Sequence, residues 1–164
     1  LKASYSADLN DVFGRDTGDL GSLSASLTYS HLLDFGSTAF PGAAPQTFAG
    51  TVGSPDHEAV LNLLYARGPL QATVGVQYVG EADVGFFDPD LESLLPSMTF
   101  VNAQVRYDLN PRVSVYAGVD NIFDEYMFVA GTNGDIGQAT GWTTFPDVYD
   151  GLGRRFYGGF RMSF

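Results

Sequence analysis

Side chains able to do chemistry are few and scattered in this chain. Histidine occurs twice, at His31 and His57, and cysteine is absent. Without cysteine there is no disulfide, thiolate nucleophile or thiolate metal site. Two histidines far apart in sequence fit surface or interface positions better than a zinc site, which takes four ligands. Asn133-Gly134-Asp135-Ile136-Gly137 resembles part of a calcium loop. The remaining EF-hand positions are missing, so a Gly-rich turn is the better reading. No Ser-His-Asp spacing matches a hydrolase motif, and no two carboxylates stand out as an acid–base pair. The expectation is no catalytic residue, no metal and no cofactor.

Ligand contact is the chemistry the residues suit better. Phe86-Phe87-Asp88-Pro89-Asp90-Leu91-Glu92 mixes aromatic and acidic side chains. Phe86, Phe87, Asp88 and Asp90 are candidate ligand contacts, with a solvated acidic tip as the competing reading. Trp142 is the single tryptophan. With Phe145 and Tyr149 it either touches a ligand or packs its own loop. All of these lie in long segments between regular elements, where a rigid scaffold usually carries its binding residues.

The scaffold reads as strands. Alternate side chains of a strand point to opposite faces. Leu1, Ala3, Tyr5, Ala7 and Leu9 share one parity, against Lys2, Ser4, Ser6 and Asp8. Leu23, Ala25, Leu27 and Tyr29 oppose a serine- and threonine-bearing face from Ser22 to Ser30. The same rhythm recurs over 59–66, 70–78, 101–109 and 113–120. It appears last in Phe156, Gly158, Phe160, Met162 and Phe164, opposite Arg155, Tyr157, Gly159, Arg161 and Ser163. That predicts about seven strands of roughly nine to eleven residues, the length that crosses a bilayer when tilted. Tyr5, Tyr29, Tyr65, Tyr78 and Tyr107 fall on the apolar parity, mostly near strand ends, as aromatic girdles require.

Connections alternate in length. Arg67-Gly68-Pro69 and Asn110-Pro111-Arg112 are tight, and 10–19 is moderate. Asp34–Asp56, Ala82–Ser97 and Asn121–Gly153 are long. Long structureless loops are uncommon in compact soluble domains, whereas short turns at one end and long loops at the other mark outer-membrane barrels. The 164 residues suffice for one domain, and only 16% are charged, against about a quarter in soluble domains. No apolar run reaches the length of a transmembrane helix, as expected for strands that alternate. The net charge of −11 argues against nucleic acid as a partner, which needs a basic surface. Glu81, Gln104, Arg106, Arg155 and Arg161 fall on the polar parity and are expected to line a lumen as structural polar residues. The fold class is all-β: an antiparallel transmembrane barrel segment belonging to a larger barrel. Two other readings are a small standalone barrel acting as a pore or adhesin, with an eighth strand in Asp34–Asp56, and a soluble β-sandwich binding module.

Asn121-Ile122-Phe123-Asp124-Glu125-Tyr126 resembles the Asn-Leu-Phe-Asp-x-x-Tyr element near the end of TonB-dependent outer-membrane receptors. Gly153-Arg154-Arg155-Phe156-Tyr157-Gly158-Gly159-Phe160 resembles the closing Gly-Arg-x-Phe-x-x-Gly strand of that family. The resemblance is good over Met98–Phe164 and looser, through pattern and turns, over Leu1–Glu81. A terminal aromatic such as Phe164 looks like the assembly signal of outer-membrane barrels. The resemblance implies energised import of a scarce ligand, such as a ferric siderophore, haem, cobalamin or glycan, without enzymatic turnover. It also implies partners: a plug and further barrel strands, outer-membrane lipid and lipopolysaccharide, and an inner-membrane energy-coupling complex reached through the plug. The location it implies is the outer membrane of a Gram-negative bacterium. The chain shows no plug and about seven strands, where barrels usually have an even and larger number. Residues 1–164 are therefore expected to be the C-terminal barrel portion of a larger receptor.

Overall fold

The computed structural model describes residues 1–14, 18–83, 94–126 and 148–163. Its regular elements are β1 (Lys2–Asp8), α1 (Leu9–Phe13), β2 (Ser22–His31), β3 (Gly36–Ser37), β4 (Gln46–Thr47), β5 (His57–Arg67), β6 (Leu70–Val79), β7 (Ala82–Asp83), β8 (Leu94–Leu95), β9 (Met98–Asn110), β10 (Val113–Asp120) and β11 (Arg155–Met162). The seven long strands form one antiparallel meander in the order β1-β2-β5-β6-β9-β10-β11. The sheet does not close, so β1 and β11 are edges among the described residues.

Register carries the parity across the whole sheet. One row runs Tyr5, Ala25, Leu63, Val74, Ala103, Val119 and Phe156. The adjacent row, on the other face, runs Ser6, Ser24, Leu64, Thr73, Gln104, Gly118 and Tyr157. A slip of one residue in any strand would exchange the two faces. Among the described residues nothing covers the apolar face: Phe156 is 78% and Phe160 72% exposed. A sandwich would bury that face against a second sheet, so the β-sandwich reading is excluded. No eighth strand joins from 34–56 either. The pairings there are β3 with β4, a two-residue ladder outside the main sheet, and isolated bridges from Thr51 to Ser54 and to Asp83.

The two ends of the strands are built differently. At the end with short connections, β5 passes to β6 through Gly68 and Pro69. Gly68 takes φ +52°, and the fixed negative φ of Pro69 follows it, the sign sequence of a type II′ hairpin turn. Between β9 and β10, Asn110 Oδ1 accepts from the N–H groups of Arg112 (2.9 Å) and Val113 (3.0 Å). The pairing there skips Leu109, a bulge at the hairpin base. Leu9 departs from expectation, since it opens α1 instead of extending β1. Asp8 caps that turn by accepting from the Asn10 N–H at 2.9 Å, a local bond that competes with the ladder.

At the end with long connections, residues from all three converge. Val52, Ala82, Leu95 and Tyr149 bury together with Val79, Met98 and Phe100. The last three lie on the serine-bearing face, in register with Glu58 or Gln77. This small core explains why β9 starts at Met98, before the Val101 expected from alternation. Met98 and Phe100 break the polar pattern because they meet loop residues there and not water.

Candidate functional site

In a wall of this kind the functional surfaces are the inward face and the rim of long loops. The inward face forms an open trough of about 670 Å³ lined by Ser4, Ser24, Asn62, Thr73, Asn102 and Gln104 among others. Hydroxyls and amides dominate at mid-height, and charges lie towards the two ends. Gln104 sits at mid-height, as its parity requires. Arg106 lies near the short-turn end and pairs with Asp108 at 2.8 Å. Arg161 stands opposite Ser114 beside Arg112 and Asn110 in a smaller recess. Arg155 is at the long-loop end, donating to Asp150 at 2.9 Å and facing Asp120 at 3.5 Å. Glu81 is exposed and lies past the end of β6, between it and β7, so strand parity does not orient it.

Two tyrosines shape the inward face near its last strand. Tyr116 pairs with Gly159, and Gly118 with Tyr157. Each ring occupies the space where a Cβ of the facing glycine would lie. Only glycine lets both rings lie flat on the opposing backbone, an aromatic cover for a strand position with no side chain.

Of the expected ligand contacts, Tyr149 lies among the described residues. It is 2% exposed, within the small core. Its hydroxyl has no hydrogen-bond partner among the described residues. Burial, aided by the charge of Glu58, pushes its pKa up to about 12. Gln77 Nε2 reaches the neighbouring Val148 carbonyl at 3.4 Å. Tyr149 thus packs its loop against the wall. Phe86, Phe87, Asp88, Asp90, Trp142, Phe145 and the terminal Phe164 lie outside the described residues.

The junction between β10 and β11 carries roles that motif resemblance alone does not assign. Asn121 is fully buried, at φ +52°. Its Nδ2 donates to the Glu125 carbonyl (2.8 Å) and its Oδ1 accepts from the Glu125 N–H (2.9 Å). Its own N–H donates to Asn102 Oδ1 at 2.8 Å, and the next N–H, of Ile122, donates to the Val101 carbonyl at 2.8 Å. Asparagine is among the few residues that tolerate this left-handed backbone. Asp124, also at positive φ, accepts from the Arg154 N–H at 2.7 Å. The Tyr126 ring lies over Gly153, where a Cβ would meet it. The Asn121-x-Phe-Asp-x-Tyr126 stretch, one residue shorter between Asp and Tyr than the family element, is therefore a clamp joining the end of β10 to the approach to β11. Burial acts to raise the Asp150 carboxyl, but its bonds to Arg155 and the Leu152 N–H outweigh this and hold it below the usual carboxylate range.

The family model described as TonB dependent receptor-like, beta-barrel matches residues 3–122. The chain belongs to this family. TonB-dependent receptors are outer-membrane transporters, and the seven-stranded meander is part of such a barrel wall. The match ends at Ile122, so it covers the wall through β10 and stops within the clamp. The closing-strand resemblance lies beyond it. No curated protein and no solved structure matches the chain.

One cluster lies on the other face. The register sets His31 directly opposite His57 at the long-loop end. Their rings stack with centroids 4.3 Å apart and planes 24° from parallel. Tyr29 Oη lies 2.8 Å from His57 Nδ1. All three residues have the outward parity, at the height of the expected aromatic girdle.

Proposed function

We propose that residues 1–164 are the C-terminal barrel portion of a TonB-dependent transporter in the outer membrane of a Gram-negative bacterium. The chain helps to import a scarce ligand of the ferric siderophore, haem, cobalamin or glycan kind, and performs no turnover of it. The observation that carries this reading is the apolar face, continuous over seven strands and, among the described residues, uncovered and with an unpaired edge on either side. Open edges in lipid leave backbone groups without partners, which is costly. Further strands supplied by the rest of the receptor satisfy β1 and β11, and a plug occupies the lumen against the neutral trough. Lipid and lipopolysaccharide contact the outward face, and the plug links the barrel to the inner-membrane energy complex. The aromatic and acidic segments containing Phe86, Phe87, Asp88, Asp90, Trp142 and Phe145 provide ligand contacts at the outer mouth. Arg155 and Arg161, with Gln104 and Arg106, keep the lumen polar. Phe164 serves barrel assembly.

The test is uptake. Cells with and without the receptor are given labelled ferric siderophores, haem, cobalamin and oligosaccharides, with and without an uncoupler. Uptake of one cargo that needs both the receptor and the proton-motive force supports the reading. A protein that partitions as a soluble monomer without detergent overturns it.

A further inference from the structure

We propose that His31 and His57 form a binding site for a transition-metal ion on the outward rim of the barrel, distinct from the lumen. The two residues face each other across adjacent strands, and the 4.3 Å ring separation brings both imidazoles within reach of one ion. Imidazole suits Cu²⁺, Ni²⁺ and Zn²⁺, with Cu²⁺ bound most tightly. Metal-ligating histidines commonly use their second ring nitrogen in a hydrogen bond that fixes tautomer and orientation. Tyr29 Oη occupies that position at His57 Nδ1. In the tautomer that carries its proton on Nδ1, His57 donates to Tyr29 Oη and its Nε2 lone pair is free for a metal. Rotation of the exposed His31 ring out of the stack then directs its Nε2 to the same point. Both histidines are exposed, so an ion reaches them from solvent or the headgroup layer.

Among the described residues no three metal-ligating side chains converge. The site therefore supplies two nitrogens, and water completes the coordination. The surrounding segments help electrostatically: Asp34, Asp56, Glu58, Glu81 and Asp83 all lie near this end of the strands. Such a field raises the local concentration of cations. The inference does not depend on what the transporter carries.

The test uses the whole receptor, purified in detergent without a histidine tag and titrated with Cu²⁺ alone. The His31→Phe and His57→Phe variants keep an aromatic stack but remove a ligand. Resistance of the barrel to SDS at room temperature reports that each variant is folded. The expected result is one fewer Cu²⁺ equivalent in either variant than in wild type. The electron paramagnetic resonance component with two-nitrogen hyperfine splitting disappears with it. Tyr29→Phe keeps the equivalent but weakens it by about tenfold, the usual effect of losing an orienting partner. Equal stoichiometry and an unchanged spectrum in folded His31→Phe and His57→Phe overturn the proposal.

Discussion

The short-turn and long-loop ends of this sheet solve the same problem, joining adjacent antiparallel strands, by different means. At the short-turn end each connection is self-sufficient. Gly68-Pro69 and Asn110 set their hairpins with bonds and dihedrals internal to a few residues. At the long-loop end the connections depend on one another. Val52, Ala82, Leu95 and Tyr149 reach a common core from three separate segments, and Asn121 and Asp124 tie β10 to the approach to β11. Damage should therefore stay local at one end and spread at the other.

The largest expected effect tests that spread. Tyr149→Ala removes the largest side chain of the shared core and should cost about 3–5 kcal/mol there. Limited proteolysis should then cut in all three long segments, while the strands keep their SDS resistance. Cleavage confined to 121–154 would show that the loops are independent. Asn121→Ala comes next, at about 2 kcal/mol, because it removes a fully buried amide whose two bonds hold the Glu125 N–H and carbonyl. Hydrogen exchange should quicken at 121–126 and 150–155 together, and exchange limited to one side would break the clamp. Asn110→Ala, at the other end, should cost about 1 kcal/mol. Exchange should rise only at Arg112 and Val113, leaving the loop cleavage pattern unchanged.

Tyr149→Phe should be close to neutral or slightly stabilising, since the hydroxyl it removes has no partner among the described residues. The same hydroxyl gives a pH signature. Its folded pKa is raised to about 12 from about 10, so the neutral form is favoured in the packed loop. Its contribution is fully present below about pH 10 and is lost as pH rises towards about 12. Asp150 has the opposite sign. Its lowered pKa makes the Arg155 contact stabilising above the ordinary carboxyl range, and that contribution fades as pH falls through it. Absorbance of tyrosinate at 295 nm, compared with Tyr149→Phe, checks the first. Loop protease resistance between pH 5 and 2 checks the second.

The same contrast governs what could be read from residues alone. Seven strands, their faces and both tight turns are visible because alternation and turn chemistry are local signals. Leu9 misleads because Asp8 can bond its own backbone and start a helical turn where alternation predicts strand. β3–β4 and β7–β8 leave no trace, since two residues cannot establish a period. The packing of Tyr149 is invisible because it depends on Val52 and Leu95, far away in sequence. His31 and His57 look isolated until register places them face to face. The Asn121 clamp shows in sequence as a motif, but its work depends on Asn102 and Arg154, which no spacing rule connects to it.

The tyrosine–glycine couples between β10 and β11 have a consequence for how this hairpin is threaded. Alternation of apolar and polar residues rejects any misalignment by one position but is blind to misalignment by two, because both faces then keep their character. A shift of two in one direction would set Tyr116 against Tyr157, ring upon ring, and in the other Gly118 against Gly159, leaving a gap. The two couples therefore act as a key that only one even-numbered alignment fits, proofreading the strand that closes the segment as it enters the sheet.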